Sequence, residues 1–540
     1  MKEDKSDRKQ GGLLRSTGIV SGFTLLSRVL GLIRDMVVAH YFGAGGGVDA
    51  FFVAFRIPNF FRRLFAEGAF SQAFVPILSE YRTQREHDDV RLLVSRTAGT
   101  LGGILLVATI VCILFAPVVT YIFAPGFHAI PDKFELASSM LRITFPYLLL
   151  ISMAAFVGSV LNSYGRFGPP AFTPVLLNVV LIGCAIYLAP RLDVPVMALA
   201  WGVMAAGVIQ LAFQLPHLKG IRLLVWPQWG WRGEGVQRIL RLMVPALFGV
   251  SVAQINLLLD TVLASFLKDG SVSWLYYSDR LMEMPLGVFG IAIGTVILPS
   301  LSRKHASQDK EAFSNTLDWA VRLILLIGVP ASAALILLAS PLLVTLFQYG
   351  HFSANDVVKS TLSLRAYSLG LLAFMLIKVL APGYFARQDT RTPVKIGIKA
   401  MVTNMVINLA LIVPFAHMGL ALATSLAAFL NAGLLYRGLR QANVFHPAPG
   451  WGKFLLQLVL ATGAMSAVLV WLDRDLAQWL VWGWRDRVLW LALLVGAGMG
   501  TYIFVLLLSG LRLRHLTTRP GLPGQWLYFY QPQIFTNSIP

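Results

Sequence analysis

Apolar runs of 20 to 30 residues recur from about residue 13 to about residue 508 of this 540-residue chain. No other feature limits the fold so severely. At about 1.5 Å per residue, such a run crosses a hydrocarbon core roughly 30 Å thick. In that core every backbone N–H and C=O must find its partner inside the protein, which leaves helices or a closed barrel. Barrel strands are only about 9–11 residues long and alternate in polarity, so these runs read as helices. The composition agrees: 56% hydrophobic, 13% charged, mean hydropathy +0.68. No polar block is long enough to build a separate soluble domain.

The runs define fourteen expected spans: 13–42, 48–80, 94–123, 134–162, 171–189, 194–216, 237–266, 272–300, 316–347, 357–386, 392–415, 418–440, 453–472 and 487–509. The expected fold class is therefore an all-α integral membrane protein with fourteen transmembrane helices. Segments Arg82–Arg96, Lys219–Arg241, Arg303–Lys310, Arg387–Lys399 and Arg437–Lys453 are basic, as are both tails. The loops near 43–47, 124–133, 190–193, 268–271, 348–356 and 416–417 carry few basic residues. Lysine and arginine mark the cytoplasmic side, so both termini are expected there. The same pattern explains the net charge of +19 and argues against nucleic acid as a partner. The first run contains Arg28 and Arg34 and is followed by no small-residue cleavage site, so it reads as a retained helix. Cys112 and Cys184 both fall in apolar runs, which suits buried thiols and not a disulfide framework or metal cluster.

The sequence also repeats itself. Val160-Leu161 followed by Thr173-Pro174 recurs as Val379-Leu380 followed by Thr392-Pro393, at an offset of 219. Val75-Pro76 and Leu298-Pro299 lie 223 apart, and Ala116-Pro117 matches Ser340-Pro341. The offset covers six spans, so two lobes of like orientation are expected, with the substrate of a rocking transporter between them. The divisions are a tail 1–12, a first lobe 13–218, a linker 219–236, a second lobe 237–442, a C-terminal pair 443–510 and a tail 511–540. Trp226, Trp229 and Trp231 suit either a helix at the cytoplasmic interface or a plain linker anchored by tryptophans. Gly43-Ala44-Gly45-Gly46-Gly47 follows a helix and reads as a flexible outer hinge.

Charge inside the spans carries the chemistry. An arginine at mid-bilayer costs roughly 2.5–3.5 kcal/mol on insertion scales, so it normally faces a polar cavity or a partner. Span one holds Arg28, Arg34 and Asp35; span two holds Asp49, Arg56, Arg62, Arg63 and Glu67; span eight holds Asp279, Arg280 and Glu283. Arginines outnumber the acids available to Arg28, Arg34, Arg62 and Arg280. Paired guanidinium N–H groups match phosphate oxygens, and a diphosphate would best use several of them. Internal ion pairs are the competing reading, strongest for Arg56, Arg63, Glu67 and Glu283. Asp260 stands alone in span seven, with Asn404, Asn408 and Thr424 as candidate neighbours; these oxygens suit a hard cation such as sodium, or simple helix–helix hydrogen bonds. Lys378 and Arg365 could line the cavity, or Lys378 could snorkel to the interface. The chain has no nucleotide-binding loop after a strand and no nucleophile elbow, so neither ATP nor covalent chemistry is expected.

Several stretches resemble a known family. They are Ser27-Arg28-Val29-Leu30-Gly31 with Arg34-Asp35, then Asp49-Ala50-Phe51-Phe52, Pro58-Asn59, Arg62-Arg63 and Phe65-Ala66-Glu67-Gly68-Ala69-Phe70-Ser71-Gln72. Ser271-Val272-Ser273-Trp274, Asp279-Arg280-Leu281-Met282-Glu283, Ala381-Pro382-Gly383 and Arg387-Gln388-Asp389 with Thr392-Pro393 extend the match. Over residues 13 to 510 the chain is similar to bacterial lipid II flippases of the MurJ/MviN type, in the multidrug/oligosaccharidyl-lipid/polysaccharide exporter superfamily. The resemblance implies two six-helix lobes around a cationic cavity and a C-terminal helix pair forming a groove for a polyprenyl tail. It assigns Arg28, Arg34, Arg62 and Arg280 to the diphosphate and sugar, with Asp35 orienting Arg34. Asp49 joins that primary set, and Arg56, Glu67, Asp279, Glu283 and Lys378 are secondary candidates. Asp260, Asn404, Asn408 and Thr424 fall where some members bind sodium, although Asn408 stands where aspartate can occur.

The implied activity is translocation of undecaprenyl-diphosphate-linked peptidoglycan precursor (lipid II) across the inner membrane, by alternating access and without a cofactor. Sodium or the membrane potential would drive it. Lipid II, membrane lipids and peptidoglycan-synthesis or cell-division proteins are the expected partners. The rivals are a polysaccharide or O-antigen lipid flippase, an ion-coupled drug antiporter and a non-transporting scaffold.

Overall fold

The computed structural model describes residues 3–63 and 70–511, and all secondary structure among them is helical. The first half contains α1 (Glu3–Phe42), α2 (Gly46–Arg62), α3 (Ser71–Gln84), α4 (His87–Leu114), α5 (Ala116–Phe123), α6 (Pro131–Thr144), α7 (Pro146–Ser163), α8 (Gly168–Gly183) and α9 (Met197–Lys219). The second contains α10 (Glu234–Ser265), α11 (Ser271–Pro285), α12 (Ile291–Ala306), α13 (Lys310–Leu337), α14 (Ala339–Phe347), α15 (Ala354–Phe385) and α16 (Arg391–Gln441). α17 (Trp451–Leu472), the short α18 (Leu476–Val481) and α19 (Trp484–Leu508) follow. Among the described residues, ten continuous stretches are long and apolar enough to cross a membrane. The fourteen expected spans are compatible with this order of helices, the second running through the undescribed residues 64–69.

Proline sets many of the breaks, because it lacks the N–H of the helical ladder and collides with the preceding turn. The break between α4 and α5 falls at Phe115 (φ −100°, ψ 25°), two residues before Pro117. Its counterpart between α13 and α14 falls at Leu338 (φ −88°, ψ 13°), before Pro341. The long α16 bends at Ala416 (φ 48°, ψ −129°), the expected junction of spans eleven and twelve.

Packing follows the same repeat. α1 lies on α8 and α7 on α9; correspondingly, α10 lies on α16 and α15 on α16. α17 and α19 pair with each other and rest on α13 and α14. We call the face with the linker and residues 442–450 the tail face, and the opposite one the short-loop face. Near the short-loop face the halves meet, through α2 on α11 and α1 on α14. Toward the tail face α10 of the second half stays on α3 and α4, with Arg238 Nη2 2.7 Å from Glu80 Oε2, whereas α12 packs on α13 and α15 within its own half.

Residues 220–233 are not an interfacial helix. Pro227, Gly230 and Gly233 interrupt any helical ladder, and α4 supplies the backbone partners instead. Gln228 N donates to Ser95 O at 3.0 Å, Ser95 Oγ donates to Trp226 O at 2.5 Å, and Gly230 N donates to Thr100 Oγ1 at 3.2 Å. The three tryptophans stay exposed, so the strap is the tryptophan-anchored linker.

Candidate functional site

Three helices bring polar and charged groups to one place: α1 and α8 of the first half and α11 of the second. They enclose a cavity of about 470 Å³ lined by Arg28, Arg34, Asp35, Asn178, Arg280 and Glu283 among apolar neighbours. Arg34 Nε and Nη2 donate to Asp35 Oδ1 at 3.0 and 2.6 Å, and Nη1 donates to Asn178 Oδ1 at 3.1 Å. Asn178 in turn donates to Ser27 O at 3.0 Å, fixing α8 to α1. Across the seam, Arg280 Nε lies 3.5 Å from Asp35 Oδ2 and Nη1 lies 3.2 Å from Glu283 Oε2. The Tyr276 hydroxyl joins Arg34, Asp35 and Arg280. Arg28 makes no hydrogen bond or ion pair with a described residue; its guanidinium rests against Gly287, where a Cβ would collide with it. Three arginines thus share two carboxylates. The imbalance is smaller than the sequence suggested, because Asp35 serves two of them, but it persists at Arg28.

Asp49 lies elsewhere. Completely buried, it closes the short-loop face and does not line the cavity. Its carboxylate accepts from Lys133 Nζ (3.0 Å), Gly270 N (2.8 Å), Ser273 N (2.9 Å) and Ser273 Oγ (2.6 Å). Lys133 also reaches Asp269 at 2.6 Å, so each half contributes to one ionic seam. The glycine segment beside it is docked and not a slack hinge. Gly43 has φ +69°, and a Cβ there would stand 2.5 Å from His351 O; His351 N donates to His40 O at 2.9 Å. Lys133 went unremarked in the sequence, although it is the only lysine or arginine in the 124–133 loop. Tyr276 and Asn178 were missed as well; Asn178 stands out as a single amide in an apolar run.

Other expected residues form separate groups. Arg56 Nη1 donates to Thr261 Oγ1 at 2.7 Å, another tie between the halves. Arg62 Nε donates to Asn59 Oδ1 at 3.1 Å on its own helix, away from the cavity lining. Asp279 lies in the field of Glu283, Arg280, Arg56 and Arg63. Lys378 is exposed, beside Gly294 of α12. Glu67 lies outside the described residues.

Asp260 does gather its expected neighbours. Its Oδ1 accepts from Asn404 Nδ2 at 3.1 Å and Asn408 Nδ2 at 2.8 Å, and Thr424 Oγ1 stands 3.5 Å from Oδ2. The amide oxygens of Asn404 and Asn408 are buried without partners among the described residues. A carboxylate, two amides and a hydroxyl fit a hard monovalent cation, and the orphaned oxygens leave acceptor capacity for one. A further groove of about 690 Å³ runs along α13, α15, α16 and α17, lined by Leu325, Leu376, Phe429, Tyr436 and Trp451 among others. It is apolar and suits a hydrocarbon chain.

Comparison with known proteins decides the family. The Lipid II flippase MurJ family model matches residues 38–484. The chain belongs to the MurJ family. It is 52% identical over 511 residues to "Probable lipid II flippase MurJ" of Vibrio cholerae serotype O1, covering 93% of this chain and 97% of that one. To the Haemophilus influenzae protein of the same name it is 52% identical over 509 residues, covering 92% and 100%. The solved structure "Lipid II flippase MurJ, inward closed conformation" superposes with a TM-score of 0.77 at 26% identity, covering 90% and 97%. An inward-facing MATE transporter of the MOP superfamily gives 0.62 at 13% identity over 79% of this chain and 97% of its own, a likeness of fold alone. This MurJ family member is an all-helical, multi-pass membrane protein.

Proposed function

We propose that this chain is a lipid II flippase of the cytoplasmic membrane. It captures the undecaprenyl-diphosphate-linked disaccharide-pentapeptide at the inner leaflet and releases it at the outer leaflet, with both termini in the cytoplasm. The observation that carries the reading is Arg28, without a hydrogen bond or ion pair among the described residues, in a cavity where three arginines meet two carboxylates. Such a set favours an anion, and a diphosphate can take bonds from Arg28 and Arg280 together. The apolar groove beside α17 would hold the polyprenyl tail while the headgroup enters between α1 and α11. Halves joined by the buried Asp49–Lys133–Asp269 seam at the short-loop face, with α12 packed within its own half toward the tail face, represent the state that loads from the cytoplasm. Outward release requires the Asp49–Lys133–Asp269 seam to open.

Sodium at Asp260, Asn404, Asn408 and Thr424 would tie ion entry to rearrangement of α10 against α16. The membrane potential is worth about 2.3 kcal/mol per elementary charge per 100 mV, enough to reset such a cycle. No covalent step is needed, and synthesis enzymes on either side would supply and consume the lipid. A drug antiporter for cations is disfavoured, since the cavity is not acidic. Depleting the protein and assaying which leaflet holds the precursor tests the function. Precursor should accumulate on the cytoplasmic side, with rescue by the parent and not by Arg34→Ala. Normal outer-leaflet delivery after depletion would refute it.

A further inference from the structure

Arg365 stands on the outside of the second half and does not line the chamber. It is exposed on α15, and Leu376 lies about three helical turns farther on, so the two share a face. Leu376 and Leu380 line the apolar groove of about 690 Å³ that reaches Trp451 at the tail face. Between that groove and Arg365 the surface stays apolar, with Leu369 of α15 and Leu426 of α16 both exposed. Ser425 Oγ donates to Ala366 O at 2.7 Å, which sets Leu426 beside Arg365. Lys378 falls on the far side of the same helix, against Gly294.

The Arg365 guanidinium is only partly used. Nε donates to Ile336 O at 3.1 Å, one of the carbonyls that the end of α13 leaves without a helical partner. Nη1 and Nη2 make no hydrogen bond or ion pair with a described residue. Side chains lean toward the start of their helix, here the short-loop face, which is the outer one in the proposed orientation. α15 has 32 residues and is about 48 Å long, against a hydrocarbon core of roughly 30 Å. Arg365 stands about 16 Å from its outer end, so its guanidinium reaches the level of the outer-leaflet phosphates. Leu376 lies about 16 Å deeper, beyond the bilayer midplane. A phospholipid chain fills its own leaflet of about 15 Å, whereas the longer undecaprenyl chain extends from Arg365 into the groove.

The internal repeat supplies a comparison. Arg142 of the first half matches Arg365 at the offset of 223 that also relates Val75-Pro76 to Leu298-Pro299. α6 and α15 start at Pro131 and Ala354, at that same offset, so both arginines stand at one height, and both are exposed. A role common to membrane arginines would serve both halves alike. The groove lies beside Arg365 and not Arg142, because its walls are α13, α15, α16 and α17.

We propose that Arg365 is the outer-leaflet station of the translocated lipid: its Nη groups bind the diphosphate while the polyprenyl chain remains in the groove. The headgroup then passes from Arg28 and Arg280 to Arg365 without release of its tail. The inference rests on reading the groove as the tail site and the protein as a lipid II flippase.

The test places photoreactive p-benzoylphenylalanine in the full chain, at Leu362 in one preparation and at Phe429 in another. Leu362 is exposed one turn outward from Arg365, and Phe429 lines the groove. Proteoliposomes receive undecaprenyl diphosphate, with undecaprenol as the uncharged control and excess phosphatidylglycerol as competitor. Undecaprenyl diphosphate should label both positions, and at Leu362 at least about fivefold more than undecaprenol does. Phosphatidylglycerol should not compete. Arg365→Gln should cut labelling at Leu362 at least about fivefold and leave Phe429 within about twofold, with Arg365→Lys in between. Arg142→Gln should change neither position by more than about twofold. Equal labelling of Leu362 in the parent and Arg365→Gln would overturn the proposal, as would an equal loss in Arg142→Gln or displacement by phosphatidylglycerol. Absence of labelling at Phe429 by either polyprenyl lipid would instead remove the tail-groove reading, and this inference with it.

Discussion

Arg28 and Asp49 occupy neighbouring helices in an apolar setting, yet their surroundings assign them opposite tasks. Asp49 has four donors and no freedom, so it holds the halves together. Arg28 has no described partner and an open cavity before it, so it is available to a ligand. The two therefore respond differently to substitution. Arg28→Gln removes no hydrogen bond or ion pair with a described residue, so stability should stay within about 0.5 kcal/mol while transport falls at least about tenfold. Arg28→Lys should recover only part, because an ammonium lacks the planar pair of donors. Lys133→Met leaves Asp49 buried with its charge uncompensated and should destabilise by about 3–5 kcal/mol, read as a drop in the thermal midpoint in detergent. The charges themselves were legible in the sequence as a group. Their division between a seam and a cavity was not, because helical spacing reports which face a residue shares and not which helix it meets.

Among the elements, α4 and α16 show how backbone demands shape the architecture. α4 receives the linker in a shallow groove at Gly99 and Gly103, where a Cβ would stand 2.2 Å from Gln228 O and 2.7 Å from the Trp229 ring. Gly99→Val should expel the strap, and protease cleavage near residues 226–230 should accelerate by about tenfold. At the start of α16 the Asp389 carboxylate accepts from Thr392 N at 3.0 Å. The Thr392 side chain, and then that backbone N–H, hold the Asp389 carboxyl below the usual carboxylate range. Because its folded value is depressed, its stabilisation is present above the unfolded value of about 3.9 and lost as pH falls through the folded one. Asp389→Ala should therefore lower stability by about 1 kcal/mol at pH 7, and in thermal scans the difference should shrink as pH falls through the unfolded value of about 3.9 and below it. Helix positions and the proline breaks followed from hydrophobic runs and Pro spacing. The strap did not, since tryptophans and arginines fit an amphipathic helix as well as an extended anchor until the groove on α4 is known.

For the molecule as a whole, the two-half architecture was foreshadowed by a faint repeat of Pro and Val-Leu pairs. The repeat reappears as matched breaks at Phe115 and Leu338 and as matched packing of α1 on α8 and α10 on α16. Which face the halves close on depends on contacts hundreds of residues apart, such as Asp49 with Ser273, and no local pattern encodes them. The central claim is that a cationic chamber between those halves carries a diphosphate lipid from one leaflet to the other. Its most direct test is translocation by the purified chain in liposomes, using lipid II labelled on its headgroup and an impermeant reagent to score each leaflet. The parent should equilibrate lipid II between leaflets, and Arg28→Gln with Arg280→Gln should reduce the rate to that of empty liposomes. Equal translocation by the parent and the double variant would contradict the account.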